Sequence, residues 1–134
     1  MNNLPELPRV LNKREADWTT DKFKPWCEKQ GKTFAFEIKY AKKDYLNFNE
    51  VKPHQVANLL KVRHETFYHK IPDMGDKNPF DGISLTQQPA YVVIKYPTTV
   101  AIIPIDVFVL ESKRSKRRSL TAERAMEIST INFR

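Results

Sequence analysis

Between Thr33 and Tyr40 the side chains alternate: Phe34, Phe36, Ile38 and Tyr40 are interleaved with Thr33, Ala35, Glu37 and Lys39. A period of two predicts a half-buried strand. It puts Glu37 and Lys39 on one face, roughly 7 Å apart along the chain. Upstream, helical signals begin near Asn12, a good N-cap, and run through Glu15, Trp18, Phe23 and Trp26. Pro25 falls inside that run, which predicts a kink or two helical pieces, and Gly31 is a natural terminator. Downstream, Val51 to His64 predicts a second helix, with Pro53 suited to its first turn and Val56, Leu59, Leu60 and Arg63 at helical spacing.

From residue 66 to 110 the pattern turns mostly to strand. Thr66 to Ile71, Phe80 to Leu85, Ala90 to Tyr96 and Val100 to Val109 are separated by turns rich in Pro, Gly and Asp. Ala90 to Ile94 shows little alternation, as a central strand covered on both faces would. The expected architecture is a small α/β domain with a mixed central sheet flanked by helices. Residues 1–11, with Pro5 and Pro8, form an extended arm; residues 12–110 form the domain. Residues 111–134 form a basic tail with a short helix opened by Thr121. There is no internal repeat.

Composition narrows the setting. At 134 residues, 40% of them hydrophobic and 11% aromatic, the chain suits one globular domain and not a disordered polymer. No apolar run approaches the roughly 20 residues that span a bilayer. Met1 to Arg14 lacks the apolar core of a secretory signal, so a cytoplasmic location and no membrane partner are expected. The lone Cys27 excludes an internal disulfide, a CxxC redox motif and a cysteine zinc cluster. A net charge of +7 and a pI near 9.5 favour a polyanionic partner, with nucleic acid the usual one.

Two acidic positions stand out against that basic background. Glu37 and Lys39 make a Glu-x-Lys pair in which a carboxylate can hold a divalent metal and an ammonium can orient water or offset charge on a phosphate. The same pattern also describes a solvated ion pair on an exposed strand. Asp81, in Asn78-Pro79-Phe80-Asp81-Gly82, offers a second carboxylate at a strand mouth, or simply a turn aspartate. Asp73 and Asp76 share its loop. Other patterns lead nowhere. Gly31-Lys32-Thr33 lacks the upstream glycine of a phosphate loop. His54, His64 and His69 have no zinc-pair spacing. Val93-Ile94-Lys95 mimics a nuclease strand but has valine where the acid belongs.

Taken together, Glu15 in Arg14-Glu15-Ala16-Asp17, the strand Phe34 to Lys39, and Phe48-Asn49-Glu50-Val51-Lys52-Pro53-His54-Gln55 resemble the PD-(D/E)xK nuclease superfamily. The closer likeness is to its Holliday junction resolvase branch, of archaeal Hjc and bacterial RecU types. Ala90 to Tyr96 and Val100 to Phe108 look like that family's closing hairpin. The resemblance covers residues 12–110. It departs in one respect: the family's Pro-Asp strand precedes Glu-x-Lys, whereas here Pro79-Phe80-Asp81-Gly82 follows the second helix. That order is similar to a phage and Gram-positive subgroup labelled penicillin-binding-protein-related factor A, and implies that the metal-binding Asp has moved to another strand.

The resemblance implies a restriction-endonuclease-like fold and a magnesium-dependent endodeoxyribonuclease, with manganese able to substitute, that resolves four-way DNA junctions as a homodimer. A phage-encoded chain would act in the host cytoplasm. Glu37 and Asp81 would hold the metal within about 5 Å of each other. Lys39 would assist the chemistry, with Gln55 near the metal or the DNA backbone and Glu15 completing the set. Lys42, Lys43, His54, Lys113, Arg114, Lys116, Arg117 and Arg118 would contact DNA. The alternatives are a non-catalytic DNA-binding module with the same fold, or a nuclease acting on flaps or other DNA.

Overall fold

The computed structural model describes residues 16–133, which fall into two compact units divided between Lys32 and Thr33. The expected start of the first helix near Asn12, and Glu15 within it, lie outside the described residues.

The first unit is helical from Ala16. Thr19–Phe23 form a widened π-helical turn, in which the Lys24 N–H reaches the Thr19 carbonyl, and α1 follows over Lys24–Gln30. Pro25, in the first turn of α1, has no N–H and its ring crowds the carbonyl four residues back. A widened turn at that point lets the helix pass the proline without breaking. Gly31 ends α1 in the left-handed region at φ 60°. Phe23 stacks on Trp26 at 5.6 Å and meets Trp18 at 5.7 Å, so the apolar stripe read from the sequence holds the unit's own turns together.

The second unit is mixed α/β. Its elements are β1 (Ala35–Tyr40), β2 (Tyr45–Asn47), α2 (Pro53–His64), β3 (Thr66–Lys70), β4 (Gly82–Thr86), β5 (Ala90–Lys95), β6 (Val100–Pro104), α3 (Ile105–Arg114), β7 (Ser119–Thr121) and α4 (Ala122–Ile128). The main sheet has the order β1-β5-β6, with β1 and β5 parallel and β5 and β6 antiparallel. Parallel neighbours require a long crossover, here α2 together with the β3–β4 hairpin. Two further antiparallel ribbons, β2–β7 and β3–β4, complete the strands.

β5 is the centre. Val92, Val93 and Ile94 are wholly buried, which accounts for the missing alternation in that segment. Their side chains diverge. Val92 and Ile94 join the main core with Ile103 of β6, Leu59 and Val62 of α2 and Phe108 of α3, whereas Val93 lies on the other face beside its β6 partner Ile102. Burying such a cluster is the main source of stability in a domain of this size.

One expected strand is half helix. The chain leaves β6 at Pro104, whose backbone at φ −55° and ψ 142° caps α3, so only Val100–Pro104 is strand. Proline has no N–H for a ladder, and Asp106 in the first turn with Lys113 and Arg114 in the last complement the helix dipole. The run Val107 to Leu110 is apolar enough to pass for a strand, but the buried residues of α3, Ile105 and Phe108, are three residues apart. Across to α2, His64 Nε2 meets Asp106 Oδ1 at 2.7 Å.

Residue 110 therefore falls inside a helix, and residues 119–128 contribute both β7 and α4 to this unit. Leu120 and Ala125 are buried in its core. Thr121 opens α4 as expected, its hydroxyl accepting from the Arg124 N–H at 3.2 Å.

Candidate functional site

β1 places Glu37 and Lys39 opposite Val92 and Ile94 of β5. Directly opposed residues in a sheet project to the same side, so the two charges share the face on which the main core is built. The aromatic residues Phe36 and Tyr40 belong to the other side. Glu37 and Lys39 are consequently only partly exposed, at 27% and 21% of their side chains, and Glu37 Oε2 lies 3.3 Å from Lys39 Nζ. A carboxylate and an ammonium held together at the rim of an apolar core are less screened than a surface pair.

The other expected site residues distribute as follows. Gln55 is the third residue of α2, and its Oε1 accepts from the Lys52 N–H at 2.9 Å, so part of its role is to cap that helix. His54, beside it, is exposed. Asp81 is exposed in the segment joining β3 to β4, and its carbonyl takes the Ile71 N–H at 2.7 Å. The β3–β4 ribbon is separate from the sheet that carries Glu37. Among the described residues, no group of three His, Cys, Asp or Glu side chains converges in a way that could hold a metal ion.

Val93 and Lys95, the mimic of a nuclease strand, lie on the central strand β5. Val93 is completely buried, where an ionised carboxylate would lack water. Lys95, the neighbour of Tyr40 across β1 and β5, turns its ammonium onto the carbonyls of Tyr96 and Pro97. Burial lowers its pKa below the usual lysine range.

The basic residues lie in two places. Lys42 and Lys43 follow β1 after the buried Ala41, and both are exposed. Lys113 and Arg114 close α3, and Lys116, Arg117 and Arg118 form the exposed turn that leads into β7. Antiparallel pairing of β2 with β7 sets Asn47 opposite Ser119, and the Phe48 N–H donates to the Arg118 carbonyl at 3.0 Å. The basic turn is thereby fixed to the end of β2.

Sequence reasoning missed a cleft of about 280 Å3 at the end of β1, lined by Tyr40, Lys42, Lys43, Tyr45, Asn47 and Glu50 among others. The alternation of Tyr45 and Asn47 about the buried Leu46 was the available signal, but three residues are too few to stand out from a loop. No described helix is long and apolar enough to cross a membrane.

No protein-family profile, curated protein or solved structure matches this chain.

Proposed function

We propose that this protein is a metal-dependent DNA endonuclease of restriction-endonuclease-like architecture, acting on branched DNA and resolving four-way junctions. The reading is carried by the Glu37–Lys39 pair, 3.3 Å apart on a strand that passes through a helix into a parallel neighbour. The net charge of +7 supports the choice of a phosphate-rich substrate.

Magnesium at phosphoryl-transfer sites is commonly held by one or two carboxylates, with substrate oxygens and water completing its shell. Glu37 fits that role as a hard-oxygen donor, and Asp81 is the proposed second carboxylate. When bound, the metal supplies an electrophile for the phosphate and a more acidic water. Lys39 does the rest of the work at this point. Its ammonium donates to the attacking water or to a phosphate oxygen as charge develops there. Gln55 contributes a further amide donor at the N-terminus of α2, and Lys42 and Lys43 hold the backbone. Two symmetric cuts across a junction call for a homodimer.

A second reading, a DNA-binding module without catalysis, is favoured by the placement of Asp81 beside a ribbon separate from the sheet that carries Glu37. One experiment separates the two. The protein and Glu37→Gln are incubated with a labelled four-way junction, a flap and a plain duplex, in magnesium or EDTA. Paired magnesium-dependent nicks in the junction, lost in the variant, are the expected result. Binding without cutting under every condition would leave the non-catalytic module standing.

A further inference from the structure

The cleft after β1 sets Lys42 and Lys43, assigned above to the DNA backbone, beside Tyr45 and Asn47, which the proposed chemistry does not use. Tyr45 is 42% exposed although it lies on a strand whose next residue, Leu46, is only 3% exposed. Tyr45 and Asn47 project outward with their β7 partners Thr121 and Ser119, making a narrow polar ribbon with one aromatic ring on it. Lys42 and Lys43 line one end of the cleft. The turn Lys116-Arg117-Arg118 leads into β7, and its Arg118 carbonyl takes the Phe48 N–H, one residue beyond Asn47 of the cleft. From Lys43 to Phe48 the chain spans at most roughly 16 Å, at about 3.3 Å per extended residue.

Charge does not explain the cleft by itself. Asp44 and Glu50 offset the two lysines, so the surplus comes from the turn. Glu50 is drawn back onto its own backbone, its Oε2 accepting from the Asn47 N–H at 3.3 Å. What remains is an exposed ring with Lys42 and Lys43 just before it in the chain and a basic turn joined by backbone to Phe48 just after it. Duplex binding needs only the cations, because base faces inside a helix are already stacked. A ring in this position gains from a base that is out of the stack, as single-strand-binding surfaces do.

We propose that this cleft holds an unpaired DNA strand, with a base stacked on Tyr45 and the flanking phosphates on Lys42, Lys43 and the 116–118 turn. The proposal rests on the reading of the chain as a DNA-binding protein and specifies its substrate as DNA with unpaired nucleotides, such as a flap, gap or open branch point. Asn47 supplies an amide that can bond a base edge or sugar.

The test is fluorescence anisotropy of the full chain with a labelled oligothymidylate and a duplex of equal length, in EDTA so that cleavage plays no part. Preference for the single strand is expected. Tyr45→Ala should weaken single-strand binding roughly 5- to 100-fold while changing duplex binding little. Tyr45→Phe should behave as the parent, since stacking needs the ring and not the hydroxyl. The exposed pair Lys42→Ala and Lys43→Ala, tested together, should weaken the single strand even if Tyr45→Ala folds poorly. Equal affinity for both DNAs, or a folded Tyr45→Ala binding like the parent, overturns the proposal and leaves the nuclease reading intact. Tyr45-dependent single-strand binding by a protein that cuts no DNA supports the cleft and removes the nuclease.

Discussion

The buried hydroxyl of Tyr96 donates to the carbonyl of Leu120 at 3.0 Å, tying the end of β5 to β7 across the core. Tyr96 has no exposed surface, and its ring packs in the same cluster as Leu46 and Leu120. Removing only the hydroxyl, in Tyr96→Phe, gives up one buried hydrogen bond and should cost about 1 kcal/mol. Urea unfolding checks this. The slope should stay constant while the midpoint falls.

The same phenol makes the protein sensitive to alkali. Burial pushes Tyr96 well above the ordinary tyrosine value of 10.0. A raised folded value means that the contribution is complete below about pH 10, where the unfolded phenol also keeps its proton. It is lost as pH rises further, because the unfolded chain ionises first. Tyr96→Phe should therefore lose less stability than the parent between neutral and strongly alkaline pH. Thermal melts across that range would refute this if the two curves fell in parallel.

Acid acts through α3 and α4. The Arg124 guanidinium bonds Glu111 through two nitrogens, at 2.9 and 3.0 Å. Those hydrogen bonds, offset in part by burial and helped by the charges of Arg124 and Arg114, lower the Glu111 carboxyl from its usual 4.5. A depressed folded value contributes stability above the unfolded pKa and loses it as pH falls through the folded one. Glu111→Gln should melt below the parent at pH 7 and approach it in acid. An undiminished gap in acid would mean that the pair is not the source.

Gly82 offers a way to move Asp81 without replacing it. A Cβ at Gly82 would sit 2.8 Å from the His69 carbonyl oxygen, a backbone atom of the paired strand that cannot swing aside. Gly82→Ala should splay the end of the β3–β4 ribbon while leaving the core sheet folded. Amide exchange should quicken in residues 68–70 and 82–84 and stay slow in β5. If Asp81 serves the proposed metal, junction cleavage should fall with it. Full cleavage by a protein whose ribbon is shown to have opened would take Asp81 out of the site.

Lys39→Met retains most of the side chain's length and removes its charge. Loss of one donor that stabilises developing negative charge typically costs on the order of 100- to 1000-fold in turnover. Junction binding should be nearly unchanged, since it depends on many cations. A drop in affinity with no change in the single-turnover rate would make Lys39 a DNA contact and nothing more.

Much of this fold could be read from periodicity because single elements decide it locally. β1, α2 and β5 follow from their spacing, and Gly31 and Thr121 end and begin helices as their backbone chemistry requires. α3 was hidden because Val107 to Leu110 is apolar without interruption, and the deciding fact, Pro104 as a cap, works only once β6 has ended. The site was legible in part. Alternation brought Glu37 and Lys39 together, but it made their face look like the solvent side. Only the register with Val92 and Ile94 shows that this is the side of the main core. The cleft depends on pairing Tyr45 with Thr121, a long-range contact without a local signature.

That pairing also sets an order of events. The β2–β7 ribbon joins segments far apart in sequence, and such contacts form late because a long loop must close first. A nascent chain can present the Glu37 strand well before residues 116–121 leave the ribosome, but it has no basic turn beside Tyr45 until they do. Chains cut before β7 would keep the Glu37 strand but lack the ribbon partner that sets the proposed strand-binding surface beside Tyr45.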